Sequence, residues 1–337
     1  GSANTAVGFE SLKSNITGIG NTTLGSGTLA NNNANYNTAV GSLALNANTS
    51  GTLNTATGVF ALGTNGTGSN NSAYGFEALG ANTDGNNNTA NGYFALSKNN
   101  SGYSNTATGA SSLNSNTTGF RNTAEGDSAL FNNTTGFTNT AIGGLALQNN
   151  VDGGINTAIG FGALETNTSG SYNTAVGVYA DVASGGLIDA MALGNAAKVQ
   201  SSFTIQLGDG NITDLYTNDN CIVHAGSFVT PSDARLKNSI TPFTLGLNFI
   251  SLLKSVSFLY NNQHDSHVNS GFLAQDVEKA AAQLGTTFSG VHKPKTDKDF
   301  YALSYQDFIM PLVNAVKELK SQNDELKKDN DDLKKQL

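Results

Sequence analysis

Eleven consecutive times this chain spells Asn, then Thr or Ser, then a small residue, one free position and Gly. The anchors are Gly8, Gly25, Gly41, Gly58, Gly75, Gly92, Gly109, Gly126, Gly143, Gly160 and Gly177, and a twelfth, degenerate copy ends at Gly194. The period is 17 residues except for one interval of 16, between Gly25 and Gly41. A fixed period of this length predicts a stacked solenoid, in which each repeat is one coil that buries its apolar face only against its neighbours. Most of such a chain is a shape rather than an active site.

With each anchor Gly taken as position 0, position −4 is Asn in the eleven full units and position −2 is Ala in all but one of the twelve, Thr23 being the exception. Position +4 is Leu in the first ten, from Leu12 to Leu164, and position −1 ranges from Val7 to Asn91 to Glu125. Strand side chains alternate in direction, so −2, 0 and +4 are expected to share an inward face, and −1 to face water or a neighbouring subunit. A second Gly recurs from Gly51 to Gly170 after short polar residues, as in Asn133-Thr134-Thr135-Gly136, which is turn chemistry. One unit thus reads as a short strand, a corner, a second short segment and a Gly turn. Stacking aligns the Leu side chains in one column and the Asn side chains in another, where amides hydrogen-bond along the stack. Twelve coils at strand spacing give a rod on the order of 55 Å. Disorder, the other reading of an Asn/Gly/Ser/Thr-rich tract, does not hold an inward Leu at one phase for ten periods. The Asn-x-Thr/Ser triplets, formally glycosylation acceptors, read as a by-product of the repeat.

The composition breaks near residue 231. Residues 1–231 carry 12 acids and 4 bases, and so the whole net charge of −8, whereas residues 232–337 carry 13 of each. All four prolines, Pro231, Pro242, Pro294 and Pro311, lie at or after the break. With no basic patch in the first part, nucleic acid is not an expected partner. Cys221 is the single cysteine, so no intrachain disulfide forms. No membrane span and no signal peptide are apparent. Gly1-Ser2 reads as a cloning remnant, so the natural start and any targeting signal are expected upstream. The Leu column stops at Asp181 and Lys198, Phe203–Leu207 alternates weakly, and Cys221–Val229 is strand-like. The expected organisation is therefore a repeat domain over 1–198, a β-rich neck over 199–231 and a second module over 232–337.

The unit Asn-Thr-Ala-x-Gly-x-x-Ala-Leu resembles the head repeat of trimeric autotransporter adhesins over residues 3–198. The resemblance implies a parallel β-roll with three chains side by side. Here the unit is longer than the commonest head repeat, so handedness and cross-section rest on that analogy.

The second module reads Ser232-Asp233-Ala234-Arg235-Leu236-Lys237 at its start, then Gly271-Phe272-Leu273-Ala274-Gln275-Asp276, then Tyr305 and Pro311-Leu312-Val313-Asn314. In this order the motifs resemble the C-terminal intramolecular chaperone of endosialidases and phage tail fibres, a domain also used by a eukaryotic membrane-anchored transcription factor family. The resemblance implies a domain that trimerises, sets the register of the preceding fibre and then cuts itself off before the Ser. Carried over, the scissile bond is Pro231-Ser232, with Ser232 as nucleophile and Lys237 as general base. The chemistry holds on its own terms: a hydroxyl is weakly nucleophilic until a base takes its proton. A Lys serves as that base when burial favours its neutral form, which couples cutting to folding. Asp233 and Arg235 are expected to hold the segment by capping and pairing. The plain alternative for Ser232 and Lys237 is an ordinary helix entry. His264, His267 and His292 sit among polar residues and read as exposed; His267 lies near the place of an auxiliary His in the family, with Val268-Asn269-Ser270 interrupting the alignment. No metal site or cofactor is expected, because carboxylates and histidines are not clustered at ligand spacing.

Tyr305, Ile309, Leu312, Val316, Leu319, Asn323, Leu326, Asn330, Leu333 and Leu337 advance by alternating fours and threes. This is a heptad seam, expected as a coiled coil over 311–337, with Asn323 and Asn330 at a positions that pin register. Pro311 marks a helix start or kink. The seam implies self-association, and the resemblance makes the number three.

The reading is thus a mainly β fold, a parallel β-solenoid followed by a small α+β chaperone. Its expected role is a homotrimeric tail fibre or adhesin, extracellular on a cell surface or virion, that meets a surface glycan or protein. Three rivals stand beside it: a glycan-degrading tail-spike fragment, disfavoured by the lack of clustered carboxylates in the repeats; an ice- or mineral-binding solenoid using the Thr column at −3; and a DNA-binding regulator, disfavoured by the acidic rod.

Overall fold

The computed structural model describes residues 1–211, 232–261, 268–296 and 299–336. The chain divides into two compact units, Gly1–Cys221 and Ile222–Leu337. The strand-like run Cys221–Val229 and His264 and His267 lie outside the described residues.

The first unit is a parallel β-solenoid. Its strands are three residues long and occupy positions −3 to −1 of each repeat: β1 Thr5–Val7, β2 Thr22–Leu24, β3 Thr38–Val40, β4 Thr55–Thr57, β5 Ser72–Tyr74, β6 Thr89–Asn91, β7 Thr106–Thr108, β8 Thr123–Glu125, β9 Thr140–Ile142, β10 Thr157–Ile159 and β11 Thr174–Val176. Each pairs in parallel with the next, one repeat on, so that Thr55 faces Ser72 and Ala56 faces Ala73. The sheet continues past residue 198: β13 (Met191–Leu193) and β15 (Ile205–Leu207) complete thirteen strands. Where the Leu column stops, β12 (Asp181–Val182) and β14 (Lys198–Val199) form a second parallel pair, and the buried Val182 and Val199 fill the core one residue later.

The inward face differs in origin from the alternation reading. Ala at −2 and Leu at +4 are fully buried, but the strand ends at −1, so the parity of a strand does not carry to 0 and +4. The expected second short segment is a run of turns. Leu45 is buried because its backbone is left-handed, with φ 50°, as are the +2 residue Leu43 (59°) and the −5 residue Tyr36 (58°). These three positions recur in nearly every coil, and a non-Gly residue held there costs about 1 kcal/mol. The gain is hydrogen bonding between coils. The +2 amide of Leu43 donates to Ser26 of the preceding coil (2.9 Å), and the +4 amide of Leu45 donates to Ala61 of the next (3.0 Å). Ala at +3, as in Ala44 and Ala61, completes an Ala/Leu core.

Position 0 must be Gly. Its φ runs from 112° to 147° over the twelve anchors, and a Cβ there would overlap the carbonyl group of the next anchor, except at Gly194, where the nearest atoms belong to the Gly208 backbone.

Two buried Asn columns run through the stack. At −4, the backbone N–H of Asn54 donates to Asn37 Oδ1 (3.0 Å), and Asn54 Nδ2 donates to the Gly68 carbonyl (2.9 Å). The second column, at +7, escaped the sequence reading: Asn99 Nδ2 donates to Asn82 Oδ1 (2.7 Å) and to its own coil's Gly102 carbonyl (2.9 Å). Among the described residues no buried side-chain nitrogen or oxygen lacks a partner. The 16-residue coil loses its residue at the Gly turn. Ala34 stands where other coils have Gly, Asn32 Nδ2 reaches its carbonyl at 2.9 Å, and the strand register Thr22–Thr38 is unchanged.

In the second unit, α1 (Leu247–Leu252), the antiparallel pair β16 (Val256–Phe258) and β17 (Asn269–Gly271), α2 (Ala274–Gln283), the pair β18 (Val291–His292) and β19 (Ala302–Leu303), and α3 (Ile309–Gln336) surround a small core. Leu245, Phe249, Val277, Ala280, Ala281, Phe288 and Phe308 form it. No helix among the described residues is long and apolar enough to cross a membrane.

Removing a rung of the second amide column leaves its neighbours with an unmet donor or acceptor, at a cost of about 1–3 kcal/mol. Asn99→Ala is therefore expected to lower the unfolding free energy by roughly that amount, and Asn91→Ala, at an exposed −1 position, to leave it unchanged. Denaturant unfolding of the two variants beside the wild type checks this.

Candidate functional site

The first described segment of the second unit is a tight turn. Asp233 is extended (φ −66°, ψ 134°), residues Ala234–Leu236 make a single 3-10 turn, and Lys237 leaves it extended (φ −119°, ψ 141°). Asp233 caps the turn: its Oδ1 accepts from the Arg235 amide at 2.8 Å, and the Arg235 guanidinium closes on both carboxylate oxygens, Nη2 at 2.6 Å from Oδ2. The Arg235 side chain, then its amide, hold the Asp233 carboxyl below its ordinary range; the same contact raises Arg235. The turn returns the chain on itself. Lys237 Nζ lies 2.7 Å from Ser232 Oγ across five residues.

That places a hydroxyl and an amine in hydrogen-bond contact. Lys237 Nζ donates to the hydroxyl. For base catalysis the proton must lie the other way, with a neutral amine accepting from Oγ. Within the single chain residues 232–244 are all exposed, including the apolar Leu236, Ile240 and Phe243. Pro231, the other side of the expected scissile bond, lies outside the described residues.

The terminal helix holds the chain that follows the turn. Asn314 Nδ2 donates to the carbonyls of Phe243 (3.0 Å) and Leu245 (3.1 Å), and Glu318 Oε2 accepts from the Leu247 amide at 2.8 Å. Glu318 thereby caps α1, whose own N-cap, Gly246, has no side chain to do so. The sequence reading missed this pair, although Asn314 and Glu318 stand four apart and therefore on one helix face.

The Gly-Phe-x-Ala-Gln block is structural. The Phe272 amide donates to the Tyr305 hydroxyl at 2.9 Å, and a Cβ on Gly271 would overlap that hydroxyl. Phe272 stacks on Tyr305 (6.1 Å) and Phe308 (5.4 Å), and Ala274 and Val277 face the core from α2. Glu278 pairs with Lys293, which lowers its carboxyl, and accepts from the Tyr301 hydroxyl at 3.1 Å. His292 is exposed on β18. Among the described residues no group of three or more His, Cys, Asp or Glu is arranged to hold a metal ion.

On the solenoid, Thr at −3 does form a single exposed or half-buried file. The −1 file beside it changes from Tyr74 to Asn91 to Glu125, so this face is not uniform in composition.

Residues 232–286 match the family model described as the chaperone of endosialidase. Comparison with the curated proteins found no match. The chain therefore carries an endosialidase-type chaperone domain next to a parallel β-solenoid of about twelve coils, and this combination fits a phage tail-fibre or tail-spike type of protein.

Tyr305→Phe is expected to cost about 1 kcal/mol by deleting one hydrogen bond, and Gly271→Ala more, because it displaces the ring stack as well. Thermal unfolding of residues in the full chain, followed by near-ultraviolet dichroism, orders the two. The Asp233 cap acts in a defined window. Its carboxyl is depressed, so the cap is present above the ordinary carboxylate range and is lost as pH falls through the lowered value.

Proposed function

We propose that this chain is a homotrimeric surface or tail fibre whose C-terminal domain sets the register of the solenoid and then cleaves itself at Pro231-Ser232. The observation that carries the reading is the terminal helix. It is 28 residues long, yet its buried residues are Pro311 and Ala315, in its first two turns. Leu312, Val316, Leu319, Leu326 and Leu333 remain exposed, Leu326 at 62%, all along one heptad seam. A solitary helix of that length past its packed turns is marginal in water, and an unpaired Leu seam adds apolar area that association removes. Pro311 stands in the first turn, where its missing N–H costs nothing. Members of the chaperone family usually act as trimers, which supports three copies.

The solenoid supplies the need for such a clamp. Consecutive coils pair within the chain almost identically, Thr on Thr and Ala on Ala, so the repeating framework gives side-by-side chains little by which to choose one alignment over another. Parallel non-local pairing is also slow and exposes sheet edges meanwhile. A trimeric nucleus at one end resolves both. Cleavage afterwards removes the nucleus for unfolding as well as folding, leaving a kinetically trapped stack.

The step balances within the chain. Ser232 Oγ attacks the Pro231 carbonyl carbon as its proton passes to the Lys237 amine. The C–N bond then breaks as the Ser232 nitrogen takes that proton, giving an ester. Water hydrolyses the ester, leaving a carboxylate on Pro231 and a new amine on Ser232. Enclosure of the exposed turn by the other chains is what favours the neutral amine, so cutting follows assembly.

Freshly expressed wild type is expected as two fragments on a denaturing gel, and Ser232→Ala as one intact chain that light scattering still finds trimeric. Deletion of 232–337 is expected to give aggregate or monomer. Soluble, correctly sized trimers from that deletion overturn the chaperone reading; an intact wild-type chain in a well-formed trimer overturns the cleavage.

A further inference from the structure

The repeats form an internal alignment that separates building positions from free ones. Positions −4, −2, 0, +4 and +7 are held by packing and amide bonding. At +2, +5 and +6 the residue type varies freely: +2 runs Leu43, Phe60, Glu77, Phe94, Ser111, and +5 runs Asn46, Gly63, Gly80, Ser97, Asn114, Phe131. Three consecutive small residues at +5 hollow the surface of the coils anchored at Gly58, Gly75 and Gly92. The result is a groove of about 600 Å³ parallel to the stack, between the +2 file and the +5/+6 file, ending at Phe131.

Its lining alternates from coil to coil. Phe60 and Phe94 flank Glu77 along the +2 file, so aromatic, carboxylate and aromatic follow one another at strand spacing, roughly 4.8 Å. Phe94 is fixed by an edge-on contact with Phe76 (5.4 Å) and by Tyr93 (4.3 Å). Across the groove stand Ala81 and Lys98 at +6. No ion pair among the described residues engages Glu77 or Lys98. Asn114 spends both amide hydrogens on the Phe94 carbonyl and Ser97 Oγ, which leaves its Oδ1 as an acceptor.

We propose that this groove binds a neutral oligosaccharide. A pyranose presents an apolar C–H face and a rim of hydroxyls that both donate and accept. It therefore suits aromatic faces that alternate with one carboxylate acceptor, one ammonium donor and an amide oxygen. Opposite charges in one groove disfavour a strongly charged ligand of either sign, and the excess of 12 acids over 4 bases in residues 1–231 disfavours a polyanion in particular. The ring contacts that hold Phe94 and a pre-formed hollow limit the ordering cost of binding. The proposal deepens the fibre reading by giving it a ligand class and a place, and it rests on that reading only for its biological sense.

The full chain, labelled and applied to an array of immobilised neutral glucose-, galactose-, mannose- and N-acetylhexosamine-based oligosaccharides, tests it. The expected result is binding to a subset that falls about tenfold or more in Ala81→Trp, which plugs the groove from an exposed position, and in Glu77→Gln/Lys98→Gln. Tyr172→Ala, exposed elsewhere on the rod, is expected to bind as wild type. An array with no bound saccharide overturns the proposal, as does binding that Ala81→Trp leaves unchanged. Light scattering and a denaturing gel on the same sample report trimerisation and cleavage separately, so a failed groove and a failed chaperone are told apart.

Discussion

The amide of a buried asparagine in this solenoid is satisfied chiefly by the coil next to it. Asn99 donates to Asn82 and accepts from Asn116, and the −4 column captures backbone N–H groups in the same coil-to-coil way. A buried polar group without its partner is costly. No coil is therefore stable alone, and stability accumulates as a chain of nearest-neighbour terms. The same requirement explains the tolerance for left-handed residues: each places an amide or carbonyl where only an adjacent coil can meet it.

That arrangement solves stacking within a chain. In the proposed trimer, contacts that repeat every coil would not distinguish one alignment from its neighbour. The second unit is built in the opposite sense. Its aromatic core of Phe249, Phe288 and Phe308 is closed within one chain, while the turn holding Ser232 and Lys237 and the seam of α3 are left open. One unit satisfies its buried groups within the chain, the other leaves a turn and an apolar seam open. Asn314 and Glu318 tie the open helix to the chain leading out of the dyad turn, so the state of the helix bears on the segment where cutting is proposed.

Much of this was legible in the residues because it repeats. Asn at −4, Ala at −2, Gly at 0 and Leu at +4 announced the coil and its buried set. The +7 Asn column was equally periodic and was overlooked because the Gly after it drew the turn reading. The parity argument reached the correct face for the wrong reason: it treated +4 as strand, when a left-handed turn carries Leu45 inward. The pairing of Ser232 with Lys237 was accessible only through the order of motifs, since nothing in a five-residue separation implies contact until a 3-10 turn is known to lie between. The groove was hidden because no single residue marks it. It appears only when small +5 residues of successive coils are laid side by side.

By itself, the sequence determined the period, the composition of the core and the seam on the last helix, because those follow from side-chain size and spacing along one chain. Tertiary structure alone decided which atoms meet across 17 residues: the second amide column, the cap from Glu318 to α1, and the aromatic hollow on the rod. The physical reason is that hydrogen bonds and clefts depend on backbone direction at each turn, and in this chain that direction is set by left-handed residues whose identity, from Leu to Tyr to Ser, carries no sign of it.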